Sequence, residues 1–184
     1  MLVITILTLI ACVCLIGFEK VKVASSHKEN KKMHDPLFII GAAALVACWI
    51  YMAGRYWNYD GIWIISYGVR VTLGIIAVLA ALGYYVYLLF FALPKGTYSG
   101  EELQTHLVQT GAYSRCRHPG FYGFTLTAAA MSLLVGNATN ALLLLVYVIL
   151  NLVYIILEDV IYFPAYIEGY DEYKKRVPFL AFWK

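Results

Sequence analysis

The sequence predicts an all-α, polytopic membrane protein with about five transmembrane helices, and three observations support this fold class. Of the 184 residues, 62% are hydrophobic and only 14% are charged, whereas soluble domains are about half apolar and about a quarter charged. Long uncharged runs recur along the chain, and a bilayer core of about 30 Å requires about 20 apolar residues per helix. Basic residues collect in alternate connections between those runs.

The apolar runs predict the spans in order. No positive charge precedes the first run, as it would in a cleaved signal peptide, so we expect a retained helix. The third run is too long for one span, and we begin that span after Arg70. The fourth run is short, and it approaches a full span when it is counted from Pro119 to Gly136. The predicted spans are residues 1–18, 37–54, 71–93, 121–135 and 139–157.

The distribution of lysine and arginine predicts the orientation of the chain, because cytoplasmic connections collect these residues. Twelve of the fourteen lie in residues 19–36, in residues 94–120 and in the tail after residue 157, which a five-span alternation places on one side. We therefore expect the N-terminus outside and the C-terminus in the cytoplasm. The net charge of +3 then forms a basic inner surface that faces anionic lipid headgroups, and nucleic acid is not an expected partner.

We expect one compact membrane domain with two different halves. Residues 1–93 hold the first three spans and a basic cytoplasmic loop at residues 19–36, and the first two spans carry no motif. Residues 94–184 hold the last two spans, a polar connection and a cytoplasmic tail. The four cysteines show no metal-binding spacing such as CxxC, so the sequence predicts no metal site.

A polar segment, GAYSRCRHPGFYGF, precedes the fourth span. Within it, Pro119 occupies the position where proline suits the first turn of a helix. The amides of Gly120 and Phe121 then lie at the positive end of the helix dipole, next to Arg117 and His118. Such a group can bind a carboxylate or a phosphate. In the alternative, the arginines of this segment anchor the helix to lipid phosphates.

Two consecutive carboxylates, Glu158 and Asp159, follow the fifth span. Tyr147, Asn151 and Tyr154 recur before Glu158 at the spacing of one helix face. Ionisable groups at membrane depth are costly and usually face a partner or a water-filled cavity. Because a short turn joins the last two spans, we expect the two acids to neighbour the arginine–histidine pair and to hold, with it, an amino acid moiety. In the alternative, Glu158 is solvated at the interface above a packing stripe.

Three segments carry a family resemblance: HLVQTGAYSRCRHPGFYG, the Glu158–Asp159 pair, and YDEYKKRVPF. Over residues 105–178 the chain resembles the isoprenylcysteine carboxyl methyltransferase family and its relatives, the phospholipid N-methyltransferases. The resemblance implies an integral membrane enzyme that binds S-adenosylmethionine on the cytoplasmic face. Arg117 and His118 suit the carboxylate of that cofactor, and Glu158 suits its ammonium. The resemblance also implies membrane lipids as partners and a lipidic acceptor, either a prenylcysteine carboxylate or a lipid amine, that enters from the bilayer.

The resemblance assigns roles to particular residues. Glu158, Tyr154 and Asp159 are the candidate catalytic groups, because an amine acceptor must lose a proton to a general base. Asn151, Tyr154 and Tyr122 are the candidate acceptor-binding residues. The cofactor contacts fall on Thr105, His106, Leu107, Val108, Tyr113, Arg117, His118, Pro119, Gly120, Phe121 and Glu158.

Two positions depart from the family pattern. Phe121 stands where the motif RHPxYxG has tyrosine, and Tyr122 is displaced by one residue, which turns it about 100° around a helix. Tyr154 stands where the prenylcysteine enzymes carry an arginine that faces the substrate carboxylate. A buried carboxylate without its cation is poorly stabilised, so this departure leaves room for a lipid amine. Two alternatives stay open: a sister enzyme with an unrelated small hydrophobic acceptor, and a non-catalytic membrane module of the same fold.

Overall fold

The computed structural model describes residues 1–25, 36–57, 66–88, 90 and 107–181. Within these residues, five long helices account for most of the chain, and their order matches the five predicted spans. Their bounds are α1 Leu2–Ser25, α2 Pro36–Trp57, α3 Tyr67–Tyr87, α4 Gly120–Val135 and α5 Ala138–Leu157.

Shorter helical elements lie on either side of the last two spans. A 3₁₀ turn covers Gly111–Ser114 before α4, and α5 continues without a break into a π-helical turn, Glu158–Tyr162. Two short helices complete the tail, α6 at Phe163–Tyr166 and α7 at Tyr170–Arg176. Pro164 in the first turn of α6 follows the π-helical turn directly, and the helical run Ala138–Tyr166 continues through it.

The helices have the length and composition of membrane spans. Among the described residues, four candidates are long enough: Leu2–Ala24, Pro36–Trp57, Tyr67–Tyr87 and Ala138–Tyr166. The fourth predicted span, α4, is a shorter apolar helix of 16 residues. Large apolar side chains are exposed along α1, α2, α3 and α5, as expected for surfaces that contact lipid. The chain is therefore an all-α integral membrane protein, and its orientation remains a prediction.

The helices pack as two hairpins, α1 against α2 and α3 against α4, and α5 packs against α4. Small residues permit close approach, since Gly41 of α2 meets the side chain of Leu15 on α1. Polar contacts add to this within the membrane: the hydroxyl of Tyr147 on α5 hydrogen-bonds Thr8 of α1 and lies 3.0 Å from Sγ of Cys48 on α2. The main apolar core comprises Ile4, Cys48, Met52, Tyr56, Ala128, Val135, Leu144 and Tyr147.

Arg70 belongs to α3 rather than preceding it. The predicted start of the third span at residue 71 is therefore wrong by one helical turn. The guanidinium is 2% exposed, and Nη1 donates to the backbone oxygens of Leu134 and Val135, the latter at 2.7 Å. The last carbonyls of a helix lack partners within it, so Arg70 caps α4 and fastens it to α3.

The basic loop predicted from residue 19 begins later than expected, because α1 continues through Glu19 to Ser25. Glu19 is only 1% exposed, and its carboxylate accepts hydrogen bonds from Tyr154 and Tyr166. These hydrogen bonds, together with Nζ of Lys22 at 3.7 Å from Oε1, stabilise the buried carboxylate, so the helix does not need to end where the apolar run ends. The two extra turns bring the first helix to the end of the bundle where α4 begins and α5 finishes.

Candidate functional site

The polar residues of the two halves meet at one end of the bundle, where α1 and α5 end and α4 begins. Pro119 is fully buried before the first turn of α4, and the hydroxyl of Tyr84 on α3 donates to its backbone oxygen at 2.8 Å. The backbone N–H of Arg117 donates to the oxygen of Pro178 in the tail at 3.0 Å. Backbone contacts therefore fix the segment before α4 between α3 and the tail.

Arg117 and Asp159 form a bidentate ion pair. Nε lies 2.7 Å from Oδ1, and Nη2 lies 3.0 Å from Oδ2. Nη1 donates to the backbone oxygens of Lys174 and Val177, at 3.0 and 2.6 Å. The side chains are 8% and 4% exposed, so the planar guanidinium is held on both edges in a buried position. The pair joins the segment before α4, the end of α5 and the tail.

Arg117 is not the only partner of the Asp159 carboxylate. The hydroxyl of Tyr170 donates to Oδ1 at 2.6 Å, and Nζ of Lys174 lies 3.1 Å from Oδ2. Nε2 of His118 lies 3.4 Å from Oδ1. Both oxygens of Asp159 are thus occupied by groups of the same chain.

His118 stands between the two consecutive acids. Its Nε2 faces Asp159, and its Nδ1 lies 3.8 Å from Oε2 of Glu158. The ring is stacked on Phe163 at 5.7 Å between centroids and lies 5.0 Å from the ring of Phe179. Burial lowers the pKa of His118 below its ordinary value, and this effect outweighs the opposing effect of Asp159. The imidazole is therefore neutral near pH 7 and donates a hydrogen bond from only one nitrogen.

The π-helical turn separates the surroundings of the two acids. Asp159 contacts Tyr170 and Lys174 of the tail, whereas Glu158 interacts with Glu19 of α1 and Tyr154 of α5. The side chain of Glu158 is 15% exposed, against 4% for Asp159. Such wide turns are frequent at functional sites. Of the two acids, Glu158 has the more exposed side chain and is not part of the ion pair with Arg117.

A second group of polar residues, the Glu19 cluster, consists of Glu19, Lys22, Tyr154 and Tyr166. The hydroxyl of Tyr154 donates to Oε1 of Glu19 at 3.2 Å, and that of Tyr166 donates to Oε2 at 3.2 Å. Nζ of Lys22 lies 3.7 Å from Oε1 and 3.4 Å from the hydroxyl of Tyr166. The cluster extends the polar region from Glu158 to the first helix.

The tail is fastened along the segment before α4. The hydroxyl of Tyr173 donates to the backbone oxygen of Tyr113 at 2.6 Å, and Tyr173 is 2% exposed. The backbone N–H of Ala181 donates to the hydroxyl of Tyr122 at 2.7 Å. Tyr122 therefore contacts the tail. The tyrosine hydroxyl that is displaced by one residue from its position in the family motif accepts a hydrogen bond from the tail backbone.

The structure brings together four of the predicted site residues: Arg117, His118, Glu158 and Asp159. Thr105 and His106 lie outside the described residues. Gly120 is exposed. The remaining predicted positions are partly or fully buried around this end of the bundle: Leu107, Val108, Tyr113, Pro119, Phe121, Tyr122, Asn151 and Tyr154. The functional roles of all these residues remain predictions.

Sequence reasoning missed the Glu19 cluster apart from Tyr154. Glu19 follows an uncharged run of eighteen residues, and a charge at that point suggests the end of a span. One signal was available, because Glu19 is an acid in a connection dominated by lysine. That segment also contains Glu29 and Asp35, so an acid there is as consistent with solvent as with a buried partner.

Comparison with known proteins identifies the family. A family model described as phospholipid methyltransferase matches residues 61–166, which is more than half of the chain. The chain belongs to the phospholipid methyltransferase family. No curated protein and no solved structure matches the chain. The match spans α3, α4, α5 and both acids, whereas α1 with Glu19 precedes it.

S-adenosylmethionine is the usual methyl donor of methyltransferases, and the family match implies it as the cofactor. Glu158 fits its ammonium, since it is a partly exposed carboxylate that is not part of the Arg117–Asp159 ion pair. Arg117 has less capacity for its carboxylate, because it already bonds Asp159 and two backbone oxygens. The described residues therefore fit the cationic end of this group better than its anionic end.

Proposed function

We propose that this protein transfers a methyl group from S-adenosylmethionine to the amine of a lipid that enters the site from the bilayer. Membership of the phospholipid methyltransferase family supports the reaction class. The observation that carries the proposal is Glu158, a partly exposed carboxylate that lies 3.8 Å from Nδ1 of His118 and faces Glu19 and Tyr154.

The charges around Glu158 favour an amine over a carboxylate as the acceptor. In the prenylcysteine enzymes that this chain resembles, an arginine faces the substrate carboxylate, and Tyr154 stands at that position here. Tyr154 contacts Glu19, so the position faces a carboxylate. A carboxylate on the acceptor would lie beside the negative side chains of Glu19 and Glu158, with only Lys22, among the described residues, near them to balance the charge. Such like-charge contact is unfavourable in a region shielded from water. A protonated amine, in contrast, is attracted by both carboxylates.

S-adenosylmethionine, when bound, supplies an electrophilic methyl group on a positively charged sulfur. The protein holds the acceptor nitrogen in line with that methyl group and excludes water. The acceptor ammonium first gives one proton to a carboxylate. Bound beside Glu158, S-adenosylmethionine would supply its methyl group to the deprotonated nitrogen and would leave as the neutral thioether.

Glu158 is the best placed carboxylate to take the proton of the acceptor. Asp159 already accepts from Arg117, Tyr170 and Lys174, and this charge compensation makes it a weak base. A carboxylate has two oxygens and about four lone-pair positions. One oxygen of Glu158 can therefore contact the ammonium of the cofactor while the other receives the proton of the acceptor, after which Glu158 is neutral and contacts that ammonium only as a hydrogen-bond acceptor. We assign the orientation of the acceptor to Tyr154 and Asn151.

The proposal includes the side of the membrane. Twelve of the fourteen lysines and arginines lie in residues 19–36, in residues 94–120 and in the tail after residue 157, the segments that the five-span alternation places on the same side as Glu158 and His118. By the positive-inside rule, that side faces the cytoplasm, where the water-soluble cofactor is available. The lipid headgroups of the same leaflet lie at this level, so the acceptor does not need to leave the membrane.

The experiment uses purified protein in liposomes with S-adenosylmethionine that carries a radiolabelled methyl group. One set of liposomes contains phosphatidylethanolamine, a second contains only phosphatidylglycerol, and a third contains phosphatidylglycerol with a farnesylcysteine. We expect labelled lipid only with phosphatidylethanolamine. A Glu158→Gln variant should lose most of the transfer, whereas Glu172→Gln, whose side chain is 72% exposed, should retain it.

Binding is measured separately as the thermal stabilisation of the detergent-solubilised protein by S-adenosylhomocysteine. Stabilisation that disappears in Glu158→Gln supports the cofactor site. Label on the farnesylcysteine alone would refute the amine acceptor and retain the enzyme. No label and no stabilisation at saturating ligand would refute the enzyme.

One observation favours the non-catalytic alternative, namely the internal bonding of Arg117. The guanidinium joins Asp159 to the tail, so it has a structural role that requires no cofactor. A non-catalytic membrane module would keep this ion pair and lose the binding at Glu158. The S-adenosylhomocysteine measurement distinguishes the two functions.

A further inference from the structure

The ammonium of Lys22 lies in a compact site that is built to hold a cation. Nζ is 4.1 Å from the centroid of the Phe18 ring and 3.7 Å from Oε1 of Glu19. It is also 3.4 Å from the hydroxyl of Tyr166. Aromatic faces, carboxylates and hydroxyls all bind ammonium groups in proteins.

The groups that surround this ammonium are buried and fixed. Phe18 is 6% exposed and Glu19 is 1% exposed. Both oxygens of Glu19 accept from tyrosine hydroxyls at 3.2 Å, so the carboxylate is oriented whether or not Lys22 is present. The site thus differs from a surface ion pair, in which both side chains move freely and the interaction is weak.

We propose that Phe18, Glu19 and Tyr166 form the ammonium subsite of the lipid acceptor, and that Lys22 fills this subsite until the primary ammonium of the acceptor replaces it. The inference rests on the proposed function for the class of acceptor. It adds that the first helix determines acceptor specificity, although this helix precedes the residues matched by the family.

The position of the subsite suits transfer. Tyr154 donates to Glu19 and lies next to Glu158, so a single side chain separates the subsite from the carboxylate proposed to accept the proton. An ammonium held by Glu19 therefore lies beside its general base.

The charge balance explains why Lys22 is present and how it leaves. Glu19 and Glu158 repel each other, and two neighbouring carboxylates that are largely shielded from water need a positive partner. Lys22 supplies that charge in the absence of the acceptor. It lies in the last turn of α1 and its side chain is 14% exposed, so its flexible stem can carry the ammonium to the lipid headgroups. The exchange replaces one ammonium with another and leaves the charge at Glu19 unchanged.

The test compares Lys22→Met and Glu19→Gln with a control, Lys20→Met. Lys20 is an exposed lysine of the same helix, and its substitution makes the same change in net charge. The KM for phosphatidylethanolamine and the KM for S-adenosylmethionine are measured in liposomes for each variant. We expect Lys22→Met to lower the KM for the lipid about threefold to tenfold, because the internal competitor is removed. We expect Glu19→Gln to raise it about tenfold or more.

Three results define the outcome. The KM for S-adenosylmethionine should change less than about twofold in all variants, because the subsite serves only the acceptor. A rise in both KM values for Glu19→Gln would show a purely structural role and would overturn the proposal. An unchanged or raised KM for the lipid in Lys22→Met would also overturn it. If Glu19→Gln does not fold, Tyr166→Phe, which removes one hydrogen bond to Glu19 and keeps the ring, takes its place and should raise the KM for the lipid.

A binding measurement separates this inference from the proposed function. Thermal stabilisation by a short-chain phosphatidylethanolamine is compared with that by the matching phosphatidylglycerol, without S-adenosylmethionine. Selective stabilisation by the amine lipid that is lost in Glu19→Gln supports the subsite even if no methyl transfer occurs. Methyl transfer to the amine without such a dependence on Glu19 would retain the function and refute the subsite.

Discussion

Arg117 and Asp159 are 42 residues apart and form a bidentate ion pair with distances of 2.7 and 3.0 Å. The same guanidinium bonds the backbone oxygens of Lys174 and Val177. One side chain therefore joins the start of α4 to the end of α5 and to the tail. This arrangement makes the end of the bundle a single structural unit and leaves Glu158 on its accessible side.

We expect Asp159→Asn to destabilise the protein by about 3–5 kcal/mol, because it leaves a buried guanidinium without its counter-charge. The control is Glu172→Gln, which removes an exposed pair with Lys175 and should leave the stability nearly unchanged. The measurement is the unfolding of both variants by denaturant in mild detergent. Equal losses of stability for the two variants would contradict the structural role of the buried pair.

Cys116 reports whether the tail is in place. It is 4% exposed, burial raises the pKa of its thiol, and a thiol reacts only as the thiolate. We therefore expect negligible labelling by a charged, water-soluble thiol reagent in the wild-type protein. Tyr122→Phe removes the acceptor for the N–H of Ala181 and should increase the labelling rate about tenfold, which corresponds to about 1.4 kcal/mol of lost tail contact.

The control for this labelling is Cys116→Ala, which measures the reaction of the other three cysteines. A labelling rate that is the same in Tyr122→Phe and in the wild-type protein would show that the tail is held without that hydrogen bond.

The sequence was sufficient to predict the number and order of the long helices and the proximity of His118 to the two acids. Span number follows from the thickness of the bilayer, which the lengths of apolar runs must match. The contact between His118 and the two acids follows from a short connection between the last two helices, because that connection returns the chain to the same side. Both predictions depend only on the lengths of apolar runs and of the connection between them, which can be counted in the sequence.

The partners of Glu19 and Arg70 could not be predicted in the same way. Glu19 bonds Tyr154, which is 135 residues away, and Arg70 bonds a backbone oxygen 65 residues away. Glu19 follows an apolar run and Arg70 interrupts one. In a sequence, a charge at such a position is most simply interpreted as marking the end of a span. Only the packing of distant helices shows that each charge has a buried partner and that the helix continues past it.

Gly136 is required at the turn between α4 and α5. Its φ is +66°, and a Cβ there would overlap Cδ of Arg70. We expect Gly136→Ala to lose about 1–2 kcal/mol through its backbone conformation alone, and more if Arg70 is displaced from the end of α4. Gly83→Ala is the matched control, because a Cβ at Gly83 meets nothing within 4 Å. It should be neutral or stabilise α3 by up to about 1 kcal/mol, and thermal unfolding of both variants provides the comparison.

The stability of the protein should fall on acidification because of His118. Its surroundings contain the carboxylates of Glu158 and Asp159 and the cations Arg117 and Lys174. The net effect is a pKa that burial lowers from 6.5 in the folded state. Above pH 6.5 the imidazole is neutral in both states and this stability is fully present. As the pH falls below 6.5, the unfolded chain takes up the proton first, so stability is lost until the folded pKa is passed.

The measurement for His118 is the difference in unfolding free energy between the wild-type protein and His118→Gln at pH 7.5 and at pH 5. Other groups titrate in both proteins, and their contributions cancel in the difference. The wild-type protein should lose more stability than the variant between these two values, because only the wild-type protein has to protonate an imidazole enclosed by Phe163 and Phe179. A larger loss in the variant would mean that the protonated form is favoured in the folded state, with Asp159 stabilising the charge more than burial opposes it.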